Sequence, residues 1–508
     1  MRGSLERSHG DRALVRDDEL GHRALHHHPG LNYYSIKIIA IGVVPENRRP
    51  SSSTAWLMII LVLPVVGLPL FLMLGSPYVR GRRMRIQEEA NKSLTEGLEQ
   101  YPDLPEGAEP PRWLESFTHM NRRLTGLPCV TGTHVELLTE EHAVIASMVD
   151  AVDAAQDYVH VEVYIMAWDQ TTAPFFEALE RAVRRGVVVR VLLDQLGSRK
   201  YPGYRKLGKR FDAAGFQWRL MMPLRPWRGE LRRPDLRNHR KLVVVDGNVA
   251  FMGSQNMIDS SYLSKKNMKI GRRWVDIMVR LTGEITEDIE AVFAVDWYSE
   301  TNERLMADTF VPTHAPVPVT GPDGPGNYMQ LLPSGPGFET RPNERLFASM
   351  ADAALESLVL CSPYFIPDES LLASVTTAAY RGVRVELFTS EKADQFMVGH
   401  AQASYYEALL DAGVIIYQYR SPEVLHTKFM VVDQEMSVMG SSNMDMRSMG
   451  LNYEISLLAF GGDMVGSLQD LAQQYRDAST VLTAEKWKGR SVGERYLNSV
   501  FRLTSALM

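Results

Sequence analysis

Cysteine is nearly missing from this chain: Cys129 and Cys361 are the two in 508 residues. A pair so widely spaced excludes a disulfide framework and a cysteine-ligated metal site. Both read as small buried hydrophobes. An excess of positive charge is missing too. The net charge is -6, so no global basic character points to nucleic acid. Residues 1–30 are polar, mixed in charge and His-rich, and they lack the apolar core of a signal peptide. They read as a mobile tail rather than a metal-binding tract, despite His26, His27 and His28.

What remains is ordinary for a folded protein, at 45% hydrophobic and 23% charged, and the length allows two or three domains. One stretch departs from the average. AWLMIILVLPVVGLPLFLML, Ala55 to Leu74, runs twenty residues without a charge, the length of a bilayer's hydrocarbon core. Pro64 and Pro69 are tolerated in membrane spans. Arg80, Arg82, Arg83 and Arg85 follow it, against Arg48 and Arg49 before it. The positive-inside rule then puts the larger basic flank, and the bulk of the chain, in the cytoplasm. A shorter apolar stretch, Tyr33 to Val44, contains Lys37 and reads as a short first span or an interfacial segment.

Past residue 80 a polar helical segment, Gln87 to Arg123, is broken by prolines at 102–111. An alternating pattern follows. Helices are expected over 143–155 and 175–185, strands over 158–166 and 187–193. The same order returns as helices over 347–355 and 371–381 and strands over 357–362 and 383–388. RRGVVVRVLL near Gly186 echoes YRGVRVELF near Gly382, and DAAG at Gly215 echoes LDAG at Gly413. Val311 to Asn327, with five prolines and three glycines, reads as a linker. The expected organisation is a tail (1–30), a membrane anchor (31–79), a connecting segment (80–130), a first α/β repeat (131–310), the linker (311–327) and a second repeat (328–508).

Each repeat carries one motif. HRKLVVVDGNVAFMGSQN (239–256) and HTKFMVVDQEMSVMGSSN (426–443) agree at nine of eighteen positions. A stray histidine on a core strand accounts for one copy, not for the same six letters at the same spacing twice. On a strand, His239 and Lys241 share a face, as do His426 and Lys428, while Asp246 and Asp433 have the opposite parity. The six form the candidate catalytic set, with the aspartates better read as structural partners than as the reactive acid. Ser254 and Asn256, with Ser441 and Asn443, complete two sets of donors suited to a phosphate. Two facing sets would surround a phosphodiester. A neutral imidazole can attack phosphorus, and a protonated one can give its proton to the leaving alcohol. Free histidine titrates at roughly 6.5, so both forms coexist near neutrality. Asp276 and Glu454 are the candidate acids to orient the imidazoles, although strand periodicity alone does not place either.

The doubled HxKxxxxDxxxxxxGSxN pattern resembles the phospholipase D superfamily. PENRRPSSSTAWLMIILVLPVVGLPLFLMLG (45–75), FAVDWYSET near Trp297, SGPG at Ser334, YFIPDESLL near Tyr364, NMDMRSMGLNYE (443–454) and the terminal RLTSALM are similar to bacterial cardiolipin synthases. The resemblance implies two α/β/α sandwich repeats sharing one active site, behind one or more amino-terminal membrane helices. It also implies exchange through a phosphohistidine without metal or cofactor. His239 would then be the nucleophile and His426 the acid and base, with Lys241, Lys428, Asn256 and Asn443 on the phosphate. The implied substrate is phosphatidylglycerol in a bacterial plasma membrane, with the repeats facing the cytoplasm. Relatives of this kind usually begin with two spans, where this chain has one clear one.

Arg199 to Lys241 holds fourteen Lys/Arg against three Asp/Glu, with Tyr201, Tyr204, Phe211, Phe216, Trp218 and Trp227 among them. That mixture suits an anionic membrane surface. Whether water or an alcohol takes the phosphatidyl group is open at this level, so a hydrolase with the same site is the alternative.

Overall fold

The two halves that share a sequence pattern also share a strand order. In a computed structural model, residues 38–44, 50–72, 82–97, 102–105, 112–225, 230–231, 233–305, 320–321, 324–325, 327–338, 340–503 and 505 are described. The chain divides into two compact units at Tyr78/Val79. The first half of the larger unit contributes β1 (Val130–Leu138), β2 (Tyr158–Val163), β3 (Val188–Asp194), β4 (Gln217–Met221), β5 (Lys241–Val245), β6 (Val249–Gly253) and β7 (Met278–Thr282). The second half contributes β8 (Asn327–Ser334), β9 (Ser357–Cys361), β10 (Arg384–Ser390), β11 (Ile415–Tyr419), β12 (Phe429–Val432), β13 (Met436–Gly440), β14 (Asn452–Phe460) and β15 (Ser479–Leu482). Outward from the centre the orders are β1-β7-β6-β5-β2-β3-β4 and β8-β14-β13-β12-β9-β10-β11, with β15 added at the far edge. The halves join where β1 and β8 pair antiparallel, Val130 opposite Met329 and Thr133 opposite Asn327. One mixed sheet therefore runs through both repeats.

The layers follow from period-two burial. On β5, Leu242 and Val244 face a core with Ile285, Ile289, Phe293 and Trp297 of the helix Ile285–Thr301. Val243 and Val245 face the other way, onto Val144 and Met148 of Glu141–Ala154 and Phe175 and Phe176 of Ala173–Arg184. A strand covered on both faces has no polar side to show, which is why LVVV is a continuous apolar run. Each such side chain contributes roughly 1.5–3 kcal/mol of burial. The strand expected over 158–166 ends at Val163, because Tyr164 and Ile165 leave the sheet to line the cleft described below.

The motif aspartates sit at the far end of these strands. Asp246 and Asp433 both adopt φ of 49°, a left-handed conformation that aspartate tolerates better than bulkier residues. The Asp246 carboxylate accepts from the amides of Gln156, Asp157 and Tyr158 at 2.7, 3.0 and 2.8 Å. Asp433 does the same for Leu355, Glu356 and Ser357 at 2.7, 2.8 and 2.7 Å. Each clamps the entry to its neighbouring strand and neither lines the cleft, so their inclusion in the catalytic set is corrected. Asp246→Ala is expected to cost roughly 2–4 kcal/mol of stability, for three lost charge-assisted bonds. Thermal denaturation should show the loss, while the activity of the folded fraction stays within about twofold.

In the smaller unit the apolar run is not one straight helix. It forms Pro50–Val62 and Pro64–Leu70, with Leu63 between them at φ −128°, ψ 64°. Pro64 has no amide hydrogen to continue the first helix and suits the first turn of a second. The chain doubles back there. A Cβ on Gly67 would lie 2.7 Å from the Ile59 carbonyl oxygen, and Trp56 meets Phe71 edge-on at 5.6 Å. Among the described residues no helix is long and apolar enough to cross a membrane. Val62, Leu63, Val65 and Val66 nevertheless point outward, Val65 at 85% exposure. Of the shorter stretch, residues 38–43 are helical and 33–37 lie outside the described residues, as do the tail at 1–30, 73–80 with Arg80, and the linker at 311–319.

Candidate active site

Each motif histidine is stitched to the opposite repeat by backbone. Arg237–Asn238, just ahead of His239, pairs parallel with Asn452–Tyr453 at the start of β14, and the His239 amide donates to the Tyr453 carbonyl at 2.8 Å. Val424–Leu425, ahead of His426, pairs parallel with Trp274–Val275. The His426 amide donates to the Val275 carbonyl at 2.8 Å. The residues immediately after those two partners are Glu454 and Asp276.

The acids are thereby exchanged. His239 Nδ1 lies 3.0 Å from Glu454 Oε2 and 3.1 Å from the Ser441 carbonyl, both in the second repeat. His426 Nδ1 lies 2.7 Å from Asp276 Oδ1 in the first. A carboxylate on Nδ1 fixes the tautomer with its proton there and leaves Nε2 as the free nitrogen. Both imidazoles line one cleft of about 840 Å³.

The GSxN part of the motif serves these acids. Ser254 Oγ donates to Asp276 Oδ1 at 2.6 Å and accepts from the Ile277 amide at 3.0 Å. Ser441 Oγ donates to Glu454 Oε2 at 2.5 Å and accepts from the Ile455 amide at 3.0 Å. Both serines are fully buried, so the expectation that they bind phosphate is corrected: each hydroxyl is committed to a carboxylate. The preceding glycines explain themselves. A Cβ on Gly253 would lie 2.3 Å from the Ile277 oxygen, and one on Gly440 2.2 Å from the Ile455 oxygen. Only glycine lets these strands approach the acid-bearing strands so closely.

Asn256 and Asn443 do line the cleft. Asn256 accepts from the Ile165 amide at 3.1 Å and donates to the Tyr262 hydroxyl at 2.9 Å. The lysines lie deeper. Lys241 and Lys428 are buried, and each Nζ donates to the carbonyl of the histidine two residues before it. An ammonium has three donors, so two remain on each. Beneath them Arg240 binds Asp296 at 2.5 Å and the Glu454 carbonyl at 3.0 Å, fixing the backbone that carries the acid.

Burial sets the charge states. It lowers the His426 imidazole to about 4 despite Asp276, and it lowers His239 against the pull of Glu454. Burial also brings Lys241 to about 7 and Lys428 to about 8, with Glu454 and Asp276 opposing it. Burial pushes both carboxyls up, but their histidines and lysines outweigh it and hold them below the usual range. Burial thus favours neutral imidazoles, and a bound phosphodiester would supply the negative charge that favours their protonation. The ammonium groups discharge as pH rises. The value of kcat/KM, which reports the free protein, should therefore fall with pH once His426 loses its proton, and more steeply above about pH 7–8, where the lysines discharge. The alkaline limb of kcat should lie higher, because bound phosphate stabilises the ammonium ions. Coincident limbs in a pH–rate series would contradict this.

A family profile described as cardiolipin synthase, PLD-like domain, matches residues 148–297 and 347–476, together more than half of the chain. The chain belongs to this cardiolipin synthase family. A second profile, phospholipase D–nuclease N-terminal, matches residues 35–76. Cardiolipin synthase A of Proteus mirabilis (strain HI4320) is 31% identical over 499 residues, which are 94% of this chain and 98% of that protein. Cardiolipin synthase A of Klebsiella pneumoniae (strain 342) is 32% identical over 478 residues, 92% and 96% of the two chains. The crystal structure of phosphatidylserine synthase from Haemophilus influenzae Rd KW20 superposes with a TM-score of 0.58 at 15% identity, over 77% of this chain and 99% of that one. It shares the fold.

In the basic and aromatic segment 199–241 the basic residues before 220 are exposed, and the correction concerns its aromatics and last arginines. Phe211 and Phe216 are core residues, and Trp218 bonds Asp212 at 2.8 Å. Arg237 and Arg240 are buried against Asp194 and Asp296. Lys200 and Tyr201 do reach the cleft, while Trp227 lies outside the described residues. Sequence reasoning missed Tyr164, Tyr262, Arg272, Asp394 and Arg447, all of which line the cleft. Arg447 stands within NMDMRSMGLNYE and Arg272 four residues before Asp276, and nothing in the spacing of either marks it.

Proposed function

We propose that this chain is a membrane-bound phosphatidyltransferase that makes cardiolipin from two molecules of phosphatidylglycerol. The observation that carries the reading is the pair of imidazoles, each braced by the other repeat's carboxylate, opening into one cleft beside two buried lysines. The names of relatives matching nearly the whole chain support the same substrate class.

His239 Nε2 attacks phosphorus, and the bond from phosphorus to the glycerol oxygen breaks. His426, protonated under the field of the bound phosphodiester, gives its proton to that oxygen, and glycerol leaves. A hydroxyl of a second phosphatidylglycerol then loses its proton to His426 and attacks phosphorus. The phosphorus–nitrogen bond breaks, freeing His239 and cardiolipin. Lys241, Lys428, Asn256 and Asn443 hold the non-bridging oxygens and stabilise the charge that builds in each transition state. The bent apolar helices and their exposed valines attach the chain to the membrane, and the arginines at 80–85 keep the catalytic repeats on the cytoplasmic side.

The membrane-embedded protein incubated with labelled phosphatidylglycerol alone is expected to yield cardiolipin and free glycerol in equal amounts. Phosphatidic acid as the sole lipid product would replace transfer with hydrolysis.

A further inference from the structure

One carboxylate in the cleft has no part in the chemistry above. Asp394 lies after β10, just ahead of the helix Phe396–Ala403. Its two oxygens are 3.0 and 3.1 Å from the Tyr364 hydroxyl. That hydroxyl accepts in turn from Gln395 Nε2 at 3.1 Å. The phenol has one proton to give, and the Gln395 side chain and the Asp394 amide also donate to the carboxylate, so part of its accepting capacity is left for a ligand. Among the described residues no lysine or arginine nitrogen lies within ion-pair distance of it, although Arg272 attracts it from farther off.

The rest of the cleft is rich in donors: Lys200, Lys266, Arg272, Arg447, the two asparagines and the tyrosine hydroxyls. These suit phosphate. The other cleft-lining carboxylate, Asp445, is committed to the amide of Ser448 at 2.7 Å. Asp394 is thus the acceptor left over in a site built from donors. An ammonium headgroup would satisfy it, but the surrounding cations oppose a positive ligand. Burial also holds the Asp394 carboxyl above its usual range, which weakens its pull on a cation further. A neutral polyol, which brings O–H donors without charge, meets neither obstacle.

We propose that Asp394, oriented by Tyr364 and Gln395, accepts a hydrogen bond from the hydroxyl adjacent to the reacting oxygen of a glycerol headgroup. The assignment rests on the transferase reading. The second half of that reaction retraces the first, so departing glycerol and the incoming glycerol headgroup use the same place. One carboxylate then serves both steps, and it selects a vicinal diol over a simple alcohol or water. A site built to bind a substrate hydroxyl discriminates strongly against analogues lacking it.

The test is a competition for one intermediate. The full-length protein in phosphatidylglycerol vesicles is given glycerol and 1-propanol together, and labelled phosphatidylglycerol and phosphatidylpropanol are counted. Their ratio does not depend on how much protein is active. The parent should favour glycerol, and Asp394→Asn should lower the ratio roughly 10- to 100-fold, the worth of one charge-assisted hydrogen bond. Asp394→Glu should recover part of it. Tyr364→Phe, which keeps the carboxylate but removes its guide, should lower the ratio severalfold and carries the test if Asp394→Asn does not fold. A ratio within twofold of the parent in either variant overturns the assignment. A parent protein that forms phosphatidic acid and no alcohol product instead overturns the transferase reading itself.

Discussion

Replacing His239 with alanine is expected to abolish phosphatidyl transfer, by at least about 10⁴-fold, because it removes the proposed nucleophile, and His426 cannot both attack phosphorus and protonate the leaving oxygen. His426→Ala should cost roughly 10²–10⁴-fold, the usual worth of a general acid and base. The two losses differ in kind, and a change of substrate separates them. With a phosphodiester whose leaving group is a nitrophenol, departure needs no proton. His426→Ala should then regain most of its first-step rate, seen as a burst of nitrophenolate, whereas His239→Ala should show no burst. Equal rescue of the two variants would mean that the histidines do not divide the labour as described.

Glu454→Gln should be nearly as damaging, at about 10²–10⁴-fold, although Glu454 touches no substrate. Its carboxylate holds the His239 ring through Nδ1 at 3.0 Å and, in the proposed mechanism, would balance the positive charge of the ring once bonded to phosphorus. An amide supplies the hydrogen bond without the charge. The exchange of acids between repeats makes the outcome specific. Glu454→Gln should reduce the amount of acid-labile, base-stable phosphate trapped on the protein. Asp276→Asn, which acts through His426, should leave that intermediate able to form from the nitrophenyl donor and slow its release to acceptor. If both variants changed trapping alike, the crossed pairing would not govern the chemistry.

How much of this was legible beforehand differs from residue to residue. The duplication, the α/β repeats and the pairing of His with Lys on one face follow from period and spacing, which are local properties. The serines were placed wrongly for a local reason as well: Ser254 and Asn256 share a parity, yet the serine hydroxyl turns to a carboxylate that sequence cannot show to be adjacent. Asp276 and Glu454 stood out as acids in strand-like surroundings. Their partners are 150 and 215 residues away, and no periodicity reaches that far. Phe211 and Phe216 looked like a membrane-facing surface because aromatic content does not reveal direction. Hydropathy marks the apolar run by counting residues and does not see the bend at Leu63 and Pro64.

The exchange of carboxylates has a further meaning for how such a molecule arises. A lone repeat would hold an imidazole and an acid that do not meet each other, so a half-length protein of this design would need a second copy of itself to complete either pair. Only after fusion could the two copies be selected separately. The present chain already carries that mark, with glutamate behind His239 and aspartate, one methylene shorter, behind His426.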